Sequence, residues 1–228
     1  MSSTSQYSFK ICNITLENIQ VTEENGKKYV IAKMKLNDVF SDYAIKYSLS
    51  NDGALEIIPS YKKGNNPVPE MPRFGMLFVL KENFENLDYY GRGPLENYPD
   101  RNTASFKGIY ESKVADQYVP YTRPQENGYK TDVRWFQLSN NSGKGLEIKG
   151  LQPLGISTLN NYPSDFDGGI AKRNLHSSDI TPRKEVVVCV DLTQRGLGGD
   201  NSWGEYPHEQ YLLKNNEYTY GFVLKPIQ

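Results

Sequence analysis

Histidine and cysteine are scarce in this chain of 228 residues, which has two of each. Cys12 and Cys189 cannot supply a disulfide-rich framework. They form one bridge or sit as buried thiols, and the second is the expectation because free cysteine behaves as a small core hydrophobe. His176 and His208 are far apart, with no Cys or His at ligand spacing, so a His-rich zinc centre is not expected. No G-x-S-x-G elbow accompanies them, and both phosphate-binding glycine patterns are missing. No apolar run approaches the ~18 residues of a membrane span. The 26 basic and 27 acidic residues leave a net charge of −1, which gives no electrostatic footprint for nucleic acid or an anionic membrane. No nucleic-acid partner and no membrane partner are therefore expected. Also absent is any segment longer than about ten residues with an i, i+3, i+4, i+7 apolar stripe, so helices are not expected.

What is present reads as strand. Val30, Ala32, Met34 and Leu36 alternate with Ile31, Lys33 and Lys35, the period of a half-buried strand. Tyr43, Ile45, Tyr47 and Leu49 repeat the pattern, and Asn51-Asp52-Gly53 then supplies a hairpin turn. A strand from Ala54 to Tyr61 precedes a loop over 62–72, where Gly64, Pro67, Pro69 and Pro72 break any ladder. Phe74 to Lys81 starts a further strand. The run Val186 to Val190 has no polar alternate and reads as a strand covered on both faces. Tyr218, Tyr220, Phe222 and Leu224 end the chain as one alternating strand. The prediction is an all-β chain of about twelve or more strands, a large antiparallel β-sandwich. Residues 1–6 lack the charged and apolar regions of a signal peptide and are expected to be a flexible start, with 7–228 expected to form a single sandwich domain. A chain of this length hides roughly 70% of its extended surface on folding.

Three segments are too specific to be filler. Gly91 to Arg101 (GRGPLENYPDR) crowds Arg92, Glu96, Asn97, Asp100 and Arg101 between glycines and prolines. The expectation is a self-capping loop in which side chains bond loop backbone or each other. Tyr118 to Trp135 (YVPYTRPQENGYKTDVRW) has a stiff lead-in at Pro120 and Pro124 and a turn signal at Asn127-Gly128. Arg123, Gln125, Glu126 and Asn127 can form a polar ledge there, and a structural role is expected ahead of a chemical one. Arg195 to Gly204 (RGLGGDNSWG) places Trp203 among four glycines. That indole either folds back onto the sandwich or serves as a stacking platform for a sugar ring, with Asp200 or Asn201 beside it.

In their order and spacing, these three segments resemble the C-terminal, small-chain domain of the β-galactosidases of glycoside hydrolase family two. The motif resemblance runs from about Phe74 to the C-terminus. Before Phe74 only the strand pattern agrees. The resemblance implies a galactose-mutarotase-like super-sandwich, here expected to lack its first strands, so that Met1 is either a native start or a cut in a longer polypeptide. It implies that this domain reaches over the mouth of a separate TIM-barrel domain, with Trp203 lining the galactoside pocket. Asp200 and Asn201 follow as its neighbours, with Asn201 standing where the family more usually has Asp. The candidate substrate-binding residues are thus Trp203, Asp200 and Asn201.

By the same resemblance, the catalytic glutamates and the Mg2+ and Na+ ligands belong to the barrel. No catalytic residue and no metal site is expected in this chain. Retaining hydrolysis needs two carboxyl groups about 5–5.5 Å apart, and Glu96 and Glu126 match non-catalytic loops of the family. A TIM barrel needs ~250 residues of alternating strand and helix, which this chain does not hold. The expected function is completion of a β-galactoside pocket, with the chain inactive alone. The alternative is a free-standing carbohydrate-binding module. An aldose epimerase is disfavoured because that chemistry needs a positioned acid and base, usually with His. Association with a second copy stays open, as does a cytoplasmic or periplasmic compartment.

Overall fold

A computed structural model describes residues 13–168, 176–201 and 203–228. Residues 1–6 and Cys12 lie outside that range, so the expected flexible start and the state of the Cys12 thiol do too. Cys189 is a free, buried thiol.

The described residues form strands and one-turn 3-10 helices only. The alternating segments read from the sequence become β1 (Ile14–Glu24), β2 (Lys27–Leu36), β3 (Ser41–Leu49) and β4 (Leu55–Lys62), an antiparallel meander. The Asn51-Asp52-Gly53 turn joins β3 to β4 with Gly53 at φ +80. Next come β5 (Arg73–Leu80), β6 (Asn86–Gly93), β7 (Phe106–Lys113), β8 (Lys130–Ser139), β9 (Gly145–Leu159) and β10 (Val186–Gln194). The last strand departs from expectation. It is split into β11 (Glu217–Thr219) and β12 (Phe222–Ile227), because Tyr220 turns into the core and donates its hydroxyl to the Val190 carbonyl at 2.6 Å.

All twelve strands belong to one continuous sheet, in the order β1-β2-β3-β4-β12-β9-β8-β6-β7, with β10, β5 and β11 joined to its side. The long β9 makes the branch. Its first half lies between β12 and β8, and its second half pairs with β10. Register shifts in β8 around Val133, with Asp132 at φ +58, turn the sheet, since bulges add local bend and twist. The β5–β10 ribbon thereby lies over the face of β4 and β11. Phe74 stands 6.3 Å from the Tyr61 ring and 5.6 Å from Tyr218. Val186, Val188 and Val190 pack there with Phe136, Ile148 and Ile156. Each such side chain contributes about 1.5–3 kcal/mol when fully buried. The all-β, two-layered antiparallel architecture expected from the sequence is what forms.

The ribbon stops short of β1 and β2. Ile14 faces Leu36 and Leu16 faces Met34. After a register shift between Leu16 and Asn18, Ile19 faces Ala32 and Val21 faces Val30. Strand side chains alternate with period two, so that one extra residue keeps all four apolar side chains on the face that is core at Tyr61 and Ile57. All four are exposed, Val21 to 70%. An apolar cleft of about 330 Å³, lined by Ile14, Leu36, Tyr43, Pro69 and Phe74, separates this face from the start of β5.

Candidate functional site

The segment Gly91 to Arg101 begins inside β6 and leaves it after Gly93, so its first three residues are strand rather than loop. Its side chains cap the loop, as their crowding suggested. Arg92 donates from Nε to Asp132 at 2.7 Å and from Nη1 to the Ser105 carbonyl at 2.8 Å. Burial opposes the charge on Asp132, but Arg92 and Lys107 outweigh it and hold the carboxyl below its usual range. Asn97 is fully buried. Its amide donates to the carbonyls of Arg92 and Leu95, and its oxygen accepts from Thr131 N–H at 2.9 Å and Oγ1 at 2.6 Å. Every polar atom of that side chain is satisfied, which burial demands.

Glu96 ties the first segment to the second. Its Oε2 accepts from the Gly128 amide at 2.8 Å and the Tyr98 hydroxyl at 3.1 Å. Its Oε1 accepts from Arg101 at 3.1 Å and from the Tyr121 hydroxyl. Asn127 takes the structural role expected of this segment and acts as a staple. It bonds the amide of Val119 at 2.8 Å and its carbonyl at 2.7 Å, while Gly128 takes φ +65, a conformation that favours glycine. From Lys130 onward the second segment is β8. Glu126 is paired with Arg73 at 2.6 Å. Both carboxylates that the sequence offered are therefore engaged in structural bonds.

The third segment docks on the first. Asp100 Oδ2 accepts the amides of Leu197 and Gly198, each at 2.8 Å. The Gly196 amide donates to the Tyr211 carbonyl at 2.9 Å. Asp200 contacts His208 Nε2 at 2.8 Å. Asn201 accepts the Trp203 amide at 2.8 Å and donates to Glu205 at 2.5 Å. Trp203 does not fold back onto the sandwich, since it is 92% exposed.

The three segments meet around one open cavity of about 640 Å³. Asp100 and Arg101 line it from the first, Tyr121 and Arg123 from the second, and Asp200 from the third. Of the three expected binding residues, only Asp200 lines this cavity; Asn201 and Trp203 stand on the same loop outside it. His208 and Tyr211 also line it. Sequence reasoning missed both, because they follow the motif and reach the cavity only through the fold. With charged and hydroxyl-bearing side chains on its walls, the cavity suits a polyhydroxylated ligand or a polar loop. Among the described residues no group of three or more His, Cys, Asp or Glu side chains can hold a metal ion. Among the described residues no helix is long and apolar enough to cross a membrane.

The sequence profile of the family described as "Beta galactosidase small chain" matches residues 3–224, so the likeness extends well before Phe74. Three relatives are each named beta-galactosidase. That of Priestia megaterium is 39% identical over 212 residues, 91% of this chain and 20% of the relative. That of Streptococcus thermophilus is 30% identical over 94% of this chain and 20% of the relative. That of Halalkalibacterium halodurans is 30% identical over 88% and 20%. The chain spans about a fifth of the length of these curated relatives. Among solved structures, a GalM/aldose epimerase homologue from C. elegans overlays with a TM-score of 0.43 at 12% identity, covering 92% of this chain and 68% of that one.

Proposed function

The chain belongs to the beta galactosidase small chain family, and from that premise we propose that it completes the galactoside pocket of a larger β-galactosidase. In this reading the parent is a family-two glycoside hydrolase that removes terminal β-D-galactosyl groups with retention. A separate TIM-barrel domain supplies both catalytic glutamates and holds Mg2+ and Na+. This chain supplies a wall, with Trp203 stacking on the sugar and Asp200 and Asn201 shaping its loop. On its own it is inactive.

One observation carries the reading: the three segments, distant in sequence, converge on a single polar cavity, and beside it stands an uncovered indole. Tryptophan, with a large apolar ring and one polar N–H, is a residue enriched where proteins meet their ligands and partners. The bonding of Glu96 and Glu126 supports placing the catalytic pair elsewhere, since retaining hydrolysis needs two available carboxyl groups.

The test is hydrolysis of a chromogenic β-galactoside by the chain alone and after addition of the barrel-containing remainder. Activity that arises only on mixing is the expected result. In the assembled enzyme, Trp203→Ala should raise KM by about tenfold or more with kcat less affected, as loss of ground-state binding does. Activity from the chain alone would overturn the reading. Galactoside binding by the isolated chain, without activity on mixing, would favour the carbohydrate-binding module instead.

A further inference from the structure

Asp100 and Trp203 belong to different loops, and the path between them is short and made of directed bonds. Asp100 Oδ2 accepts two consecutive amides, Leu197 and Gly198, each at 2.8 Å. Successive N–H groups of this kind form a concavity suited to an anion. The approach depends on a missing side chain, because a Cβ on Gly196 would lie 2.8 Å from Asp100 Cγ. Three residues past Gly198, Asn201 accepts the Trp203 amide at 2.8 Å, a side-chain-to-backbone turn that orients the residue after next. The Asp200–His208 contact closes the far side of the same loop. Asp100 is thus the hydrogen-bonded tie between the YPDR segment and the loop that presents the indole. Its other oxygen, Oδ1, is buried with no hydrogen-bond partner among the described residues.

We propose that Asp100 is a positioning residue for Trp203. Its carboxylate sets the path of the loop that carries the indole beside the cavity by clamping the amides of Leu197 and Gly198. The inference rests on the galactoside-pocket reading above and deepens it. The free Oδ1 makes the conservative variant informative. In Asp100→Asn the amide oxygen can keep both N–H bonds, while the new NH2 group takes the place where Oδ1 has no partner.

The test is a set of variants in the full β-galactosidase. Asp100→Ala should raise KM about tenfold, to the level of Trp203→Ala, with kcat within about threefold of the parent. Asp100→Asn should restore KM to within about threefold. The double variant Asp100→Ala with Trp203→Ala should be no worse than Trp203→Ala alone, since residues acting as one unit are not additive. If Trp203→Ala raises KM and Asp100→Ala does not, the positioning role is overturned and the pocket reading stands. If neither raises KM, the pocket reading fails and takes the inference with it. A second readout guards against a folding defect. In the isolated chain, Asp100→Ala should speed amide hydrogen exchange at Leu197 and Gly198 while β8, β9 and β10 keep their protection. Loss of protection throughout would show a general structural role and overturn the proposal.

Discussion

Arg73 and Asp191 form an ion pair in the interior. Arg73 Nε lies 3.2 Å from Asp191 Oδ2, and the Asp191 side chain is only 1% exposed. The two stand on neighbouring strands, β5 and β10, where Asp191 faces Gly75. A Cβ on Gly75 would fall 1.7 Å from Asp191 Oδ1, so the carboxylate occupies the space a side chain would need. The rest of the guanidinium reaches Glu126 at 2.6 Å and Gln194 at 2.5 Å. That connects the core to the loop lining the cavity.

Removing Arg73 leaves the Asp191 carboxyl buried without its counter-charge, and Arg73→Met should cost about 3–5 kcal/mol above about pH 7, where that carboxyl is ionised. Adding Asp191→Asn to it should recover most of that loss. Denaturant unfolding of the two variants checks this, and equal stability of single and double variants would refute it. Burial pushes the Asp191 pKa up to about 7, against the pull of Arg73 and Tyr129. The folded value exceeds the unfolded one, so the native state keeps a proton that the unfolded chain has released. Stability from this group is therefore full below about pH 4 and falls as pH rises towards about 7. The Asp191→Asn chain should lack that slope.

Glu96 is an anchor rather than an acid. Its carboxylate serves two hydroxyls, one amide and one guanidinium. Glu96→Ala leaves several of these donors unpaired and should destabilise the chain by about 2–4 kcal/mol, at roughly 1–3 kcal/mol for each buried group left unsatisfied. Glu96→Gln, which keeps an acceptor, should cost less. Thermal melting distinguishes the two, and a Glu96→Ala chain as stable as the parent would exclude the anchoring role.

Lys130 is 3% exposed on β8, with its ammonium 6.0 Å from the Tyr89 ring. Burial lowers its pKa to about 8, more than the favourable charge of Glu96 restores. The folded state then loses this proton near pH 8, while the unfolded chain keeps it to about 10.5. Stability should rise across that window, because the unfolded state binds more protons there. Lys130→Met should remove the rise and stabilise the chain at neutral pH by up to about 3 kcal/mol, taking 1.36 kcal/mol per pKa unit. Urea midpoints at pH 7 and pH 10 measure both effects. A destabilised Lys130→Met chain at pH 7 would contradict the account.

The face formed by Ile14, Leu16, Ile19 and Val21 is apolar and uncovered, and β1 is an edge strand. Such surfaces drive association. The isolated chain should sediment as species larger than a monomer. Placing charge there, as in Leu16→Glu with Val21→Glu, should return it to a monomer with the melting temperature little changed. A monomeric parent chain that also fails to bind an apolar dye would show that the face is inert.

Most strands were legible because period-two alternation is a local property. Val30 to Leu36 and Tyr43 to Leu49 announce a buried and a wet face without reference to anything distant. Glycine and proline marked the 62–72 loop for equally local reasons. The split at Tyr220–Gly221 was not legible, since alternation continues through it and only the Val190 carbonyl across the core draws Tyr220 inward. The self-capping of Arg92 and Asn97 could be anticipated from crowding alone, but their partners Asp132 and Thr131 could not.

By itself the sequence determined the all-β class, the turn positions and the three special segments. Each follows from residue type and short spacing. The tertiary structure decided which loops share a cavity, that His208 and Tyr211 join them, that Glu96 and Glu126 are held in structural bonds, and that Trp203 faces water. Those facts depend on how β9 branches the sheet and brings β5–β10 over β4 and β11. Long-range strand pairing of that kind leaves no periodic trace in the chain, because register is set by partners far away in sequence.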